Sequence, residues 1–311
     1  MPLDRQQTRA DMEIPSKTSI LVTDSGLGGL SVFNRIAAQM AEKSLWPGVD
    51  LIYFNAWPAP LRGYNHFDTL ERRVRVFDNA LHAMDRFDPD QILIACNTLS
   101  VIYPHTPFAR ETKKQVREIV SHGVEMLFEH LSRDPSSVAV VFGTPSTVQA
   151  ASHEKGLRDL GIEKERILSI GCTNLAGYIE REPFSDIVGR TIDHCVGEAA
   201  RRLEGTSGPV HAALCCTHFG YRQTLFRQAF DQHMNRPVTL SDPNIRMADQ
   251  VFELEGKSRV ERPGIRVRIM SQAVWKKEQI QAYLKLMPDM TEAVQEALLN
   301  YEYNDMLFSV E

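Results

Sequence analysis

Short β-branched runs alternate along this chain with longer segments whose apolar residues recur every three or four positions. Runs at 19–22, 51–54, 92–95, 138–142, 167–170, 211–214 and 238–240 have the length and composition of strands. Between them, Leu70, Val74, Phe77, Leu81 and Met84 fall on one helical face, and Val116, Ile119, Val120, Val124 and Leu127 predict a second helix. Strands alternating with helices point to an α/β protein with parallel sheets and right-handed crossovers. An apolar strand ending in a polar-threonine turn recurs at Cys96-Asn97-Thr98, Gly143-Thr144 and Cys216-Thr217-His218. Two similar α/β halves facing across a cleft would produce that recurrence, and the fold expected is two similar doubly wound parallel-sheet domains with the active site in the cleft between them.

Composition narrows the function classes. The 311 residues, 43% apolar and 24% charged, suffice for a sizeable core. A net charge of −5 argues against a nucleic-acid partner, whose backbone demands a basic surface. No stretch reaches the roughly 20 apolar residues of a membrane span, so no membrane partner is expected. Residues 1–17 are polar and lack the apolar run of a secretory signal; they read as a disordered arm. Five cysteines without framework spacing fit a reducing cytoplasm better than a disulfide scaffold. No CxxC pair or HExxH helix appears, so no metal site is expected. The stretch 288–311 holds one helical pattern at Val294, Leu298 and Leu299 and reads as an appended packing or oligomer element, compatible with a homodimer.

The candidate chemistry gathers at strand ends, where α/β sheets bind ligands. Free cysteine is usually a small buried hydrophobe. Cys96, however, gives way at once to an amide and a hydroxyl at Asn97 and Thr98, and a helix N-terminus just beyond would favour its thiolate. Cys216 has His218 two residues on, within reach of its sulfur across a turn. Cys215 alternates with Cys216 and should face the core; Cys172 and Cys195 read as structural. The third strand end is Asp24-Ser25-Gly26-Leu27-Gly28-Gly29. It fits a dinucleotide fingerprint poorly, because Ser31 stands where the third glycine belongs and Asp24 would repel pyrophosphate while suiting an ammonium group. Asp24 or Ser25 as a simple cap of the next helix is the bland alternative.

Taken together, these strand ends resemble the aspartate/glutamate racemase superfamily, and within it most of all the glutamate racemase family. Asp24-Ser25-Gly26-Leu27-Gly28-Gly29-Leu30-Ser31-Val32 is similar to that family's N-terminal signature. Ile94-Ala95-Cys96-Asn97-Thr98 and Cys215-Cys216-Thr217-His218-Phe219 resemble its two cysteine motifs, and the likeness runs from about residue 19 to 284. It implies a cofactor-independent isomerase that interconverts L- and D-glutamate, or a related acidic amino acid, by two-thiol proton transfer. Cys96 would act on the D-enantiomer, assisted by Asp24, and Cys216 on the L-enantiomer, assisted by His218. Ser25, Asn97, Thr98, Thr144, Thr147 and Thr217 would hold the ammonium and carboxylate groups of this small acidic substrate. The D-product would serve peptidoglycan synthesis.

One loop departs from the family pattern. A Pro-Tyr-Gly substrate turn is replaced near Trp57, Arg62 and Gly63, and the second motif ends in Phe219-Gly220 rather than Tyr-Pro. Arg62, beside Gly63, becomes a candidate for binding a substrate anion. The alternatives are an aspartate racemase or dicarboxylate isomerase of the same superfamily, or a non-catalytic amino-acid- or anion-binding protein. The expected domains are 18–112 plus 221–287, with 113–220 inserted between them.

Overall fold

The computed structural model describes residues 18–43, 46–58, 63–253 and 264–311. The expected arm at 1–17 and Arg62 lie outside them. Among the described residues ten strands follow in chain order: β1 (Thr18–Asp24), β2 (Gly48–Asn55), β3 (Gln91–Ile94), β4 (Gln115–Glu118), β5 (Val138–Gly143), β6 (Ile167–Gly171), β7 (Val210–Cys215), β8 (Val238–Ser241), β9 (Gly264–Ser271) and β10 (Glu302–Tyr303). They form a six-stranded sheet in the order β10-β9-β2-β1-β3-β4 and a four-stranded sheet in the order β6-β5-β7-β8. Every pairing is parallel. The described residues form two α/β units, each wound in both directions from a central strand.

Both faces of each sheet are covered, which is why the central strands read as unbroken apolar runs. Ile20, Val22, Leu51 and Tyr53 enter the core on one face of the larger sheet, and Leu21, Ile52 and Phe54 the core on the other. The smaller sheet repeats this, with Val138, Val140 and Phe142 on one face and Ala139 and Val141 opposite. Cys216 and Cys215 divide the same way, and all five cysteines are free and buried.

Several expectations shift. The first helical stripe becomes the helix Leu70–Asp85, with Phe77, Leu81 and Met84 buried but Leu70 exposed at its first turn. The second splits: Val116 lies in β4, and the helix begins only at Ile119. Glu118 is the reason, being extended and accepting hydrogen bonds from Val120 N and Ser121 N through its own carboxylate. Strands β4, β9 and β10 had no expected counterpart. β4 belongs to the larger sheet and β8 to the smaller, so sheet membership puts each expected limit, near 112 and near 220, one strand further along. The C-terminal stretch joins the first unit: Val294 and Leu298 are fully buried in its core, and β10 pairs with β9. Among the described residues no helix is long and apolar enough to cross a membrane.

Candidate active site

Strand order makes two crevices. The chain leaves β1 toward β2 on one side and returns to β3 on the other, so the carboxyl ends of β1 and β3 part at a switch point. The smaller sheet does the same between β5 and β7. Asp24 ends β1 and Cys96 lies just past β3; Thr144 lies just past β5 and Cys216 just past β7. The two crevices open onto a shared cleft of about 430 Å³, whose wall includes Asp24, Ser25, Cys96, Asn97, Thr98, Thr144, Cys216, Thr217 and His218.

Cys96 is buried at the N-cap of the short helix Asn97–Ile102, with its Sγ 3.2 Å from Ser25 Oγ. Burial pushes this thiol far up, and the Asp24 carboxylate adds to the push. Ser25 and the Leu99 amide pull the other way and lose. The helix N-terminus expected from the sequence is therefore present, but it does not make a thiolate here.

Asp24 is no helix cap, since the following helix starts at Leu30. Burial raises its carboxyl above the usual range, against the lowering effects of His218 and Thr217. Both its oxygens, and both polar atoms of the Asn97 amide, are buried with no well-aligned hydrogen-bond partner among the described residues. Such groups are uncommon in folded proteins, and in a cleft wall their bonding capacity is open to a polar ligand.

Around Cys216 the arrangement differs. His218 Nδ1 lies 3.9 Å from its Sγ, and His218 Nε2 lies 2.5 Å from Glu180 Oε2. Burial opposes the charged imidazole, yet the hydrogen bonds to Cys216 and Glu180 outweigh it and hold His218 well above its ordinary value. Glu180 is held below its ordinary value, its burial outweighed by His218, the Leu27 amide and Tyr283. The pair is thus an imidazolium and a carboxylate. Gly28 makes the contact between units possible, because a Cβ there would stand 2.3 Å from Thr217 Oγ1 and 2.6 Å from His218 Nδ1.

Hydroxyls bridge the two sides. Thr98 Oγ1 lies 3.3 Å from Thr144 Oγ1, which is 3.0 Å from Thr147 Oγ1. Thr147 itself is buried behind Thr144 and supports it instead of lining the cleft. Gly63 and Trp57 do line it. Cys172, read as purely structural, stands in the cleft wall; a hydrogen bond with Cys195 and burial push its thiol well up.

Glu180 escaped the sequence reading. It lies 38 residues from His218 on the helix Leu175–Arg181, and no local spacing links the two. The available signal was an acidic residue directly after the apolar Leu175 and Ile179 of one helix face. Among the described residues no cluster of three or more His, Cys, Asp or Glu could hold a metal ion.

No family model matches the chain. Curated relatives do. The chain is 30% identical over 248 residues to a glutamate racemase of Vibrio campbellii, covering 78% of this chain and 82% of that one. It is 29% identical over 246 residues to a glutamate racemase of Vibrio cholerae, covering 79% and 83%. Among solved structures, a glutamate racemase isoform from Bacillus anthracis superposes with a TM-score of 0.66 at 17% identity, covering 92% of this chain and 96% of that one. A glutamate racemase from Francisella tularensis, solved in complex with D-glutamate, gives 0.63 at 18% identity, covering 88% and 95%. The structural likenesses establish the fold; the sequence likeness over most of both chains goes further. By it, this chain belongs to the glutamate racemase family of the aspartate/glutamate racemase superfamily, and its chemical class is that of an isomerase, an amino-acid racemase.

Proposed function

We propose that the chain interconverts the enantiomers of an acidic amino acid, glutamate first among them, by proton transfer between Cys96 and Cys216. The observation that carries this reading is one cleft in which Cys96, just past β3 of the larger sheet, and Cys216, just past β7 of the smaller, each stand beside an ionisable partner. In the L-to-D direction Cys216, as thiolate, takes the α-proton and becomes a thiol. Cys96, as thiol, gives its proton to the opposite face and becomes a thiolate. The raised Cys96 holds the proton it is to give, and the His218 imidazolium beside Cys216 is a counter-charge for the developing chemistry there. Solvent exchange resets the pair.

An α-proton is far less acidic than a thiol, so the carbanion must be stabilised as it forms. The orphaned Asp24 carboxylate suits the substrate ammonium, and the Asn97 amide with the hydroxyls of Ser25, Thr98, Thr144 and Thr217 suits the α-carboxylate. In this reading Thr147 steadies Thr144, while His218 and Glu180 position the charge around Cys216.

Purified protein under reducing conditions in D2O, offered D- and L-glutamate and then D- and L-aspartate, tests the proposal by NMR and chiral analysis. Loss of the α-hydrogen with inversion is expected for glutamate. Cys96→Ala and Cys216→Ala should each slow it by about 10²–10⁴-fold or more. Full activity in either variant would remove the two-thiol mechanism, and inversion of aspartate alone would move the substrate.

A further inference from the structure

With the reacting carbon between the thiols, the rest of an amino-acid substrate extends along the remaining cleft wall. That wall comes from the turn Tyr64–His66, from Ser146, and from the helix Leu175–Arg181. Its helix ends in Arg181, exposed at the cleft mouth and lining it. The guanidinium folds back over Gly177, one turn earlier: a Cβ at that glycine would stand 3.1 Å from Nη1 and 3.5 Å from Nη2. Gly177 lines the cleft too. Its bare Cα leaves room for the planar fork on the cleft side of the helix.

Charge makes this position informative. Among the described residues the cleft wall carries two carboxylates, Asp24 and Glu180, and the imidazolium of His218, whose charge Glu180 already balances. Glu180 cannot also serve Arg181. Its Oε2 accepts from Leu27 N, Tyr283 and His218, and its Oε1 from Gln279. Arg181 has no ion pair or hydrogen bond among the described residues. It is the one permanent cation among the described cleft-lining residues. A site that admits a second carboxylate needs such a cation, and a guanidinium presents two parallel donors to it.

We infer that Arg181 is the specificity-determining residue that receives the substrate's distal carboxylate, so the cleft selects amino acids with an anionic side chain over their neutral isosteres. This inference rests on that part of the proposed function by which an amino acid binds with its α-carbon between Cys96 and Cys216.

The test compares D-glutamate with D-glutamine on the wild type, Arg181→Ala, Arg181→Lys and Arg62→Ala. Dissociation constants come from calorimetry and kcat/KM from α-hydrogen exchange in D2O. Arg181→Ala should cut the glutamate-over-glutamine preference at least about tenfold in both measures, mainly through KM. Arg181→Lys should recover part of it. An unchanged preference in Arg181→Ala, or its loss in Arg62→Ala alone, overturns the assignment. Preference in binding that depends on Arg181, without exchange in any protein, would overturn the racemase reading and sustain this one. A wild type that binds neither compound would overturn both.

Discussion

Glu180 Oε2 lies 2.5 Å from His218 Nε2 and also accepts hydrogen bonds from the Leu27 amide at 3.1 Å and the Tyr283 hydroxyl at 2.9 Å. Gln279 holds the other oxygen at 3.0 Å. Leu27, Gln279 and Tyr283 all belong to the larger-sheet unit, whereas Glu180 and His218 belong to the smaller. The imidazolium beside Cys216 is therefore kept charged by a carboxylate that both units hold. A buried ion pair of this kind is a poor source of net stability, because desolvation of both charges offsets their attraction. Its value lies in keeping a proton on His218 next to sulfur.

Glu180→Gln should expose that role. The amide keeps the shape but removes the charge that holds His218 up, so the imidazole should lose its proton at lower pH. The alkaline limb of kcat/KM should then move down by about one pH unit or more. Enantiomers are equal in energy, so kcat/KM must fall equally in both directions. The stability linkage has the same sign: a raised His218 contributes stability fully present below its ordinary value of 6.5 and lost as pH rises through its folded value. An unshifted alkaline limb would show that Glu180 has only a structural role.

Asp24→Asn should trade activity for stability. Burial raises the Asp24 carboxyl, so its contribution is favourable below the ordinary 3.8 and is lost as pH climbs through the folded value. Removing the charge should raise the melting temperature at pH 8. It should also lower kcat/KM by about 10²-fold or more, since the substrate ammonium loses its counter-charge. A melting temperature that falls at pH 8 would contradict the dominance of burial over the His218 and Thr217 contacts at this carboxylate.

Asp242 should dominate the pH dependence of stability near neutrality. It accepts a hydrogen bond from Asn244 N at 3.0 Å, capping the helix Pro243–Gln250, and burial pushes its carboxyl up to about 7. The Asn244 amide and Arg35 oppose the push, and the Cys215 thiol facing it is itself raised in part by Asp242. Between its ordinary 3.8 and about 7, the folded state holds a proton that the unfolded chain releases, so stability falls as pH rises. The slope approaches about 1.4 kcal/mol per pH unit. Asparagine caps helices as well as aspartate does. Asp242→Asn should therefore flatten the profile between pH 5 and 7, as read by urea unfolding; an unaltered slope would assign it to other groups.

Leu298→Ala should cost about 2–5 kcal/mol, because the side chain is fully buried among residues of the first core. Leu299→Ala, at a position 53% exposed, should stay within about 0.5 kcal/mol. Equal small effects would return the C-terminal stretch to the status of a detachable appendage.

Much of this molecule was legible in one dimension because its periodicities are local. Residues 138–142 and 212–214 are apolar throughout because both faces of their strands are covered, and their ends carry threonine and cysteine turns that a reader can see without knowing the pairing. Strand β9 was missed for the opposite reason: Arg266 and Arg268 interrupt it at positions that the sheet leaves half-exposed or exposed. Strand β4 was hidden inside a helical period, and Glu118 ended that period with a hydrogen bond no periodicity reports.

The residue types that can do proton chemistry, and their place at strand ends, follow from the chain alone, since each motif is contiguous and its strand-turn signal is short-range. The charge states of the two thiol neighbourhoods do not. Cys96 and Cys216 stand in similar motifs, yet one sulfur meets burial and a carboxylate while the other meets an imidazolium. That asymmetry depends on Glu180, on the close approach at Gly28, and on Tyr283, brought together from three distant parts of the chain. Desolvation and Coulomb forces act through space, so folding sets them at distances that sequence separation does not encode.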